Sequence, residues 1–348
     1  MTRMLILALF LFCSACSSMG PQTITNDKFN YNSTIATSSR EQMLGNLIRM
    51  RYAETPTFLR VSSVISQYTR GASVSAGVGA NSSASGDDTA TASGRLRWSD
   101  RPVITYTPIA GQQFVQDLLT PPNPGRLLEM MQAGWPHDLV IRTSILSVNG
   151  VDNSITLPSR SRQADAEFFE MFRLWASLAN GDLLRLRRTS QVKGTGLTLY
   201  VAPESHPELA SDLQRFREIL SLDPDVTEYQ VVFGKVPRTD EIAILTASLW
   251  DTMTILAWQI SVPPEHIEAG RTGKTFTSSH PNYLTPIDVR YSRKEPDDAY
   301  ASVYMHNHWF YIDQNDLKSK RVFTFLELMM NLTETDVASQ APIMTISN

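Results

Sequence analysis

The segment Gly270-Arg-Thr-Gly-Lys-Thr275 is the strongest candidate in the chain for phosphate chemistry, because it ends like a nucleotide-binding P-loop. A P-loop also needs a glycine five residues before its Gly-Lys pair, so that consecutive backbone N–H groups surround the phosphates. Glu268 occupies that position, and Pro263-Pro264 stands where an apolar strand would be required. We therefore predict an exposed turn here rather than a nucleotide site.

His306 and His308 are the next candidates, as a pair of metal ligands. Side chains alternate along a strand, so two histidines separated by one residue would share one face of a predicted strand. A zinc site needs further His, Asp, Glu or Cys ligands, and the other histidines are scattered along the chain. The serine-hydrolase motif Gly-x-Ser-x-Gly is absent as well. The sequence predicts no catalytic residue, no metal, no cofactor and no enzyme.

The N-terminus has the pattern of a secretory signal. Met4–Phe12 is an apolar stretch that would cover about 14 Å as a helix, too short for a hydrocarbon core of about 30 Å. Ser14-Ala15-Cys16 resembles a lipobox, with Cys13 where most lipoboxes have leucine. This resemblance implies a signal peptide over residues 1–15 and an acylated Cys16, while an ordinary signal peptide is the alternative.

Ser17 follows the lipid-bearing position, and the sorting pattern of such lipoproteins then implies the outer membrane, with the body in the periplasm. Both cysteines of the chain, Cys13 and Cys16, lie at the processing site, so the mature body would have no disulfide. The net charge of −4 argues against a nucleic-acid partner, because such proteins need a concentrated basic surface.

The elements that must position these groups alternate between helices and strands, which predicts an α+β fold with a mixed, largely antiparallel sheet, packed helices and a long protruding β-hairpin. We expect a lipidated tether (16–38), a helix and lead-in (39–60), the hairpin (61–107) and a body (108–348). The predicted helices are 112–119, 126–133, 167–179, 207–221, 248–260 and 317–331, and the predicted strands are 139–148, 183–188, 197–201, 229–233, 287–291, 302–312 and 342–346. Ser39-Arg-Glu-Gln42 fits a capping box at the start of the N-terminal helix.

Several short motifs resemble those of a group of uncharacterised Gram-negative outer-membrane lipoproteins. They include Arg49-Met-Arg-Tyr52, Pro56-Thr-Phe-Leu59, Trp309-Phe-Tyr-Ile-Asp313 and Ser319-Lys-Arg321. The resemblance runs from the N-terminal helix to the C-terminal region and implies an envelope lipoprotein.

Residues 61–107 alternate with a period of two, which is typical of a β-hairpin. One parity is apolar, and the other is small, polar or basic. The apolar positions include Ala72, Val74, Ala76, Val78, Ala92, Leu96 and Trp98. The other parity includes Ser73, Ser75, Arg95 and Arg97. If the arms fold back about Ala84, then Val78 faces Ala90, Ala76 faces Ala92, and Ala72 faces Leu96.

Such alternation is the pattern of a transmembrane β-strand, with apolar residues toward lipid and polar residues toward a lumen. A mobile surface loop and a soluble hairpin are the alternatives. Two strands cannot satisfy their outer edges in lipid, so the hairpin would need identical neighbours to close a barrel. The implied architecture is similar to that of the curli secretion channel, an acylated oligomer in which each subunit donates hairpins to one pore.

We therefore expect a homo-oligomeric, lipid-anchored outer-membrane protein with a composite β-barrel for export or passage. Arg95 and Arg97 would face the lumen and favour anions. A monomeric periplasmic binding or envelope-assembly lipoprotein, with residues 61–107 as a recognition loop for other envelope proteins, is the alternative.

Overall fold

Helices and strands alternate along the chain in the computed structural model, which describes residues 20–79, 89–157, 160–191, 194–203, 207–276 and 286–333. The helices are α1 (Gly20–Arg51), α2 (Gln112–Leu119), α3 (Pro124–Gln132), α4 (His137–Ser144), α5 (Ala166–Asn180), α6 (Ala210–Leu220), α7 (Leu249–Ala257), α8 (Pro264–Glu268) and α9 (Leu317–Thr333). The strands are β1 (Leu59–Gly79), β2 (Thr89–Pro108), β3 (Ile145–Val148), β4 (Val151–Asp152), β5 (Ile155–Leu157), β6 (Arg160–Arg162), β7 (Leu184–Gln191), β8 (Gly194–Val201), β9 (Glu228–Phe233), β10 (Glu241–Thr246), β11 (Arg290–Ser292), β12 (Ala299–Met305) and β13 (His308–Asp313). The fold is α+β, as predicted.

The described residues divide into two compact units. Thr57–Ile109 is one unit, which contains β1 and β2 and which we call the hairpin unit. The chain on either side of it forms the other unit, the body. No helix within the described ranges is long and apolar enough to cross a membrane.

The body is organised around a six-stranded mixed sheet in the order β4-β3-β10-β9-β8-β7. Its neighbouring strands are antiparallel except for β9 and β10, which are parallel. Strand β10 lies inside this sheet and is mostly buried, yet its sequence was not predicted as a strand. Helix α7 follows at once and begins with a capping box, in which Ser248 and Asp251 bond each other's backbone N–H groups. A separate sheet, β11-β13-β12, lies later in the chain.

The core of the body is built from apolar helix faces. Helix α1 packs against α7 and β12 with its last turns, where Leu44, Leu47 and Ile48 are fully buried. In α5, Phe168 and Trp175 are buried, so the aromatic side of this helix belongs to the core. Most of the apolar residues of α9 are buried as well.

Two element boundaries predicted from the sequence were wrong, the start of the N-terminal helix and the extent of the strand at 139–148. Helix α1 begins at Gly20, so the predicted capping box at Ser39 lies inside the helix, and most of the 16–38 segment is helical. Residues 139–148 were predicted as one strand from their β-branched side chains. They form the end of α4 and then the short strand β3, because Pro136 precedes a helix start and tertiary packing outweighs β-propensity.

Candidate functional site

The hairpin unit consists of β1 and β2, paired antiparallel from Leu59↔Pro108 to Gly79↔Thr89. The register places Val78 opposite Ala90, Ala76 opposite Ala92, and Ala72 opposite Leu96. The predicted pairing is therefore confirmed. The nine tip residues that connect the strands, 80–88, lie outside the described part of the chain.

This register pairs even-numbered with even-numbered residues from Val64↔Ile104 to the distal end, so each face of the ladder collects one parity. The structure describes the backbone of residues 65–79 and 89–102 but not their side chains, so their faces follow from the register alone. One face holds the predicted membrane-facing residues Ala72, Val74, Ala76, Val78, Ala92, Leu96 and Trp98. The opposite face holds the predicted lumen-facing residues Ser73, Ser75, Arg95 and Arg97. We call these the apolar face and the polar face.

The apolar face changes character at one row. Arg70 pairs with Trp98, and Tyr68 pairs with Asp100, so the first charges on this face appear just before its apolar stretch. From Arg70 to Gly79 the strand covers ten residues, or about 33 Å at about 3.3 Å per residue. A tilt of about 40° reduces this to about 25 Å, the height of the apolar band of transmembrane barrels.

The proximal part of the hairpin, residues 59–66 and 102–108, is called the foot here. A bulge at Ser62 shifts the register between Val61↔Tyr106 and Ser63↔Thr105. Because a bulge inserts one residue into one strand, Val61 joins the even-numbered residues of β2 on the apolar face. Four large apolar side chains of the foot are exposed: Leu59 at 42%, Val64 at 36%, Val103 at 48% and Tyr106 at 49%. The foot therefore carries uncovered apolar surface.

Within the body, the segment that resembled a P-loop surrounds a cation. Arg51, the last residue of α1, is fully buried. Its Nη2 donates to the carbonyl oxygen of Gly273 (2.9 Å) and to Thr275 Oγ1 (3.2 Å), and its Nη1 donates to Thr272 Oγ1. Its Nε donates to the carbonyl oxygen of Ile260 (3.2 Å). Thr272 Oγ1 in turn donates to the Arg51 carbonyl oxygen at 2.6 Å.

The loop therefore presents oxygen acceptors to a guanidinium group, whereas a phosphate would need N–H donors. The Arg51 Cζ atom also lies 4.8 Å from the centre of the Trp258 ring. Burial lowers the pKa of Arg51 to about 10, so the group remains charged at neutral pH. The predicted exposed turn is correct for Lys274, which is exposed, and wrong for Thr272, which is half-buried.

Tyr52 follows Arg51 and lies in a cluster of histidines. Tyr52 Oη and His266 Nδ1 share a hydrogen bond of 2.7 Å, and the rings of Tyr52 and His306 stack with their centres 4.0 Å apart. The His308 ring is 5.2 Å from that of His266. Burial lowers the pKa of His266 and raises that of Tyr52 to about 12. Burial thus favours the neutral form of both groups, and the cluster joins the end of α1, α8 and the β12–β13 turn.

The prediction that His306 and His308 share one strand was wrong. His306 and Asn307 have positive φ angles of 51° and 63° and form the turn between β12 and β13, which were predicted as one strand. Among the described residues, no group of three or more His, Cys, Asp or Glu side chains is placed to hold a metal ion. Phe310, from the Trp309–Asp313 motif, contacts Tyr52 edge-on with ring centres 6.3 Å apart. Tyr52 and Phe310, which belong to two of the motifs described above, thus meet in the core.

The body also has an open groove with a volume of about 620 Å³. Its apolar lining comes from Pro121, Pro122, Leu127, Met130, Leu197, Val231, Leu249 and Met329. Glu129 and Arg188 also line it, and Arg188 Nε donates to Glu129 Oε1 at 2.7 Å. The groove mixes apolar walls with an ion pair, and sequence reasoning did not identify it because its residues come from separate elements.

The predicted signal peptide (1–15) and the predicted lipidation site, Cys16, lie outside the described residues. The chain matches no protein-family model, and neither a curated protein nor a solved structure is significantly similar to it.

Proposed function

We propose that this protein is a homo-oligomeric outer-membrane lipoprotein whose hairpins combine into one β-barrel pore for export or passage. The observation that carries this proposal is the register of β1 and β2, which separates an apolar face from a polar face from Arg70↔Trp98 to Gly79↔Thr89, the part that we call the distal hairpin. The proposed protein is not an enzyme and is anchored through an acylated Cys16, with its body in the periplasm.

The length of the distal hairpin supports membrane insertion. Its ten-residue arms match the 9–11 residues with which a tilted β-strand crosses the hydrocarbon core. Trp98 and Tyr68 belong to the apolar face near the row where charges begin, the level at which aromatic residues line membrane interfaces.

The isolated sheet of β1 and β2 supports the oligomeric part of the proposal. It contains two strands within the described ranges, so each strand has one edge without a partner in the same chain. Unpaired N–H and C=O groups are too costly in hydrocarbon, and a closed barrel is the β-structure that avoids them. One hairpin from each of several copies would supply such a barrel.

The polar face supports a preference for anionic solutes. Arg95, Arg97 and Arg101 alternate along β2 on this face, and the described polar face contains no Asp or Glu. A ring of copies would repeat these positive charges around the lumen. Arginine rings are typical of anion-conducting pores.

The body groove favours a second candidate function, a monomeric periplasmic binding or envelope-assembly lipoprotein. A volume of about 620 Å³ with mixed apolar and charged walls lies within the size range of small-molecule sites. In that case the hairpin would recognise other envelope proteins.

Single cysteines at positions 72–79 in a Cys13→Ser background test the pore. The full-length protein is purified with its membrane and labelled with one thiol reagent that reacts from water and another that reacts from lipid. We expect even-numbered positions to react from lipid and odd-numbered positions from water. Equal labelling of both parities from water, together with a monomeric mass in mild detergent, would refute the pore and favour the binding protein.

Val74→Arg and Ser75→Arg form a matched pair on opposite faces of the same arm. The Val74 change should destabilise the inserted protein by about 2–4 kcal/mol near the bilayer midplane, whereas the Ser75 change should be mild. The measurement is the denaturant midpoint in lipid vesicles. Equal effects of the two changes would contradict the assignment of the faces.

A further inference from the structure

We propose that neighbouring copies pair β1 of one copy with β2 of the next in a single register, with Arg70 opposite Asp100 and Val64 opposite Tyr106. This inference rests on the proposed function, because it specifies how the hairpins of separate copies meet.

The two free edges of the sheet are complementary. In a ring with rotational symmetry, the free edge of β1 in one copy meets the free edge of β2 in the next, and the two strands run antiparallel. The apolar face must stay on one side of the barrel throughout. If β1 of one copy paired with β2 of the next in a register shifted by one residue, the apolar side chains of the second copy would lie on the opposite side of the barrel. The offset, which is the shift of this pairing relative to the pairing within one copy, is therefore an even number of residues.

The tilt of barrel strands selects the size of this offset. An offset of two residues displaces each hairpin along the strand direction by about 6.8 Å relative to its neighbour. The two strands of one hairpin are together about 9.6 Å wide, so the strands tilt from the barrel axis by about 35°. An offset of zero gives no tilt, and an offset of four gives about 55°. Because membrane barrels have tilts of about 35–45°, an offset of two is the value that fits.

Charge selects the direction of the offset. Within one copy, Arg70 pairs with Trp98, so an offset of two places Arg70 opposite either Leu96 or Asp100 of the neighbour. The first direction leaves both charges opposite uncharged residues, because Asp100 then faces Ser66. The second direction places Arg70 opposite Asp100, and these are the two charged residues on the apolar face within the described part of the hairpin. Opposite charges directly across a ladder stabilise it, so the second direction is favoured.

The same register also covers the exposed foot. Val64 and Tyr106 are both on the apolar face, and both are exposed in the single chain. With the Arg70–Asp100 pairing, Val64 of one copy lies directly opposite Tyr106 of the next. An aromatic side chain opposite a β-branched one is a favourable cross-strand pair. The same register therefore pairs Arg70 with Asp100 and also covers the exposed side chains of Val64 and Tyr106.

Disulfide crosslinking between two tagged forms of the full-length protein tests this register. One form carries Arg70→Cys and the other Asp100→Cys, both with Cys13→Ser, and they are co-expressed and oxidised in the membrane. Directly opposite residues lie about 4.5–5.5 Å apart and can form a disulfide, whereas diagonal neighbours at about 7–8 Å cannot. The matched control pairs Arg70→Cys with Leu96→Cys, which in the proposed register lies four residues along β2 from the position opposite Arg70, farther away than a diagonal neighbour. The Val64→Cys and Tyr106→Cys pair repeats the test in the foot.

We expect a crosslinked species that carries both tags from the Arg70–Asp100 and Val64–Tyr106 pairs, about tenfold more abundant than from the control, because disulfide formation is steeply distance-dependent. Mass in mild detergent is measured on the same samples. A ring that crosslinks more through Leu96, or through none of the pairs, overturns the register and leaves the pore standing. A monomer that does not crosslink overturns both proposals.

Discussion

Replacing Arg51 with methionine is the most direct test of how the body is held together. The change keeps a long side chain but removes all the hydrogen bonds that the Arg51 side chain donates, to oxygen atoms of Gly273, Thr272, Thr275 and Ile260. Hydrogen bonds from a charged donor contribute about 1.5–3 kcal/mol each to stability. Part of this loss is offset, because the variant no longer has to remove a charged group from water when it folds. Each buried oxygen that loses its donor costs about 1–3 kcal/mol, so the net loss over the four neutral acceptors should be about 3–5 kcal/mol.

For a unit of this size, about 3–5 kcal/mol corresponds to a Tm lower by about 6–20 °C. The assay is thermal unfolding of the purified protein in mild detergent, followed by circular dichroism at a fixed heating rate. Arg51→Lys should recover only part of the loss, because an ammonium group cannot reproduce the planar fork of the guanidinium.

Arg49→Met is the matched control on the same helix. Arg49 is half-buried and donates to Asn46 Oδ1 at 3.0 Å, so its loss should cost no more than about 1 kcal/mol. Equal Tm values for Arg51→Met and Arg49→Met would refute the structural role of Arg51. A Tm above that of the unmodified protein would show that the desolvation of Arg51 outweighs its hydrogen bonds.

Three further predictions concern other positions. Gly273→Ala should lower the Tm while Lys274→Ala should not, because an added Cβ at position 273 would lie 2.7 Å from the Trp258 ring, whereas Lys274 is exposed; similar Tm values for both variants would contradict this packing. Glu327 has a pKa raised by burial, so its stabilising effect is complete below the unfolded value of 4.5 and is lost as pH rises through the folded value. Glu327→Gln should therefore raise the Tm at pH 7.5 and leave it unchanged at pH 4, and a gain of the same size at both pH values would refute the explanation. Cys16→Ser should abolish incorporation of a radiolabelled fatty acid, and undiminished labelling would exclude acylation at this residue.

The register of the hairpin could be predicted from sequence because it depends on one local rule, the alternation of side chains along a strand. Val78 and Ala90 are separated by few residues, and a single fold-back point sets every pair. The bulge at Ser62 could not be predicted in the same way. It interrupts the alternation by one residue, and the surrounding sequence has similar β-propensity on either side.

The Arg51 site could not be predicted, because its parts are distant in sequence. Arg51 lies 221 residues before Thr272, and a charged residue at the end of a helix is usually exposed. The Gly270–Thr275 motif could be rejected as a P-loop, but its real partner had no local signal. Strand β10 was missed for a related reason, since its identity as a strand depends on β3 and β9 on either side.

The two ends of the hairpin unit meet, so the hairpin can change in length without a change in the body. The backbone N–H of Ile109 donates to the carbonyl oxygen of Phe58 at 2.9 Å, so the chain leaves and returns at adjacent points. An insertion with adjoining ends adds little constraint to the fold that carries it. One residue added to each arm next to the tip would keep every existing pair and lengthen the ladder by about 3.4 Å. In the proposed pore, hairpin length could therefore be matched to bilayer thickness through paired insertions or deletions, without any compensating substitution in the body.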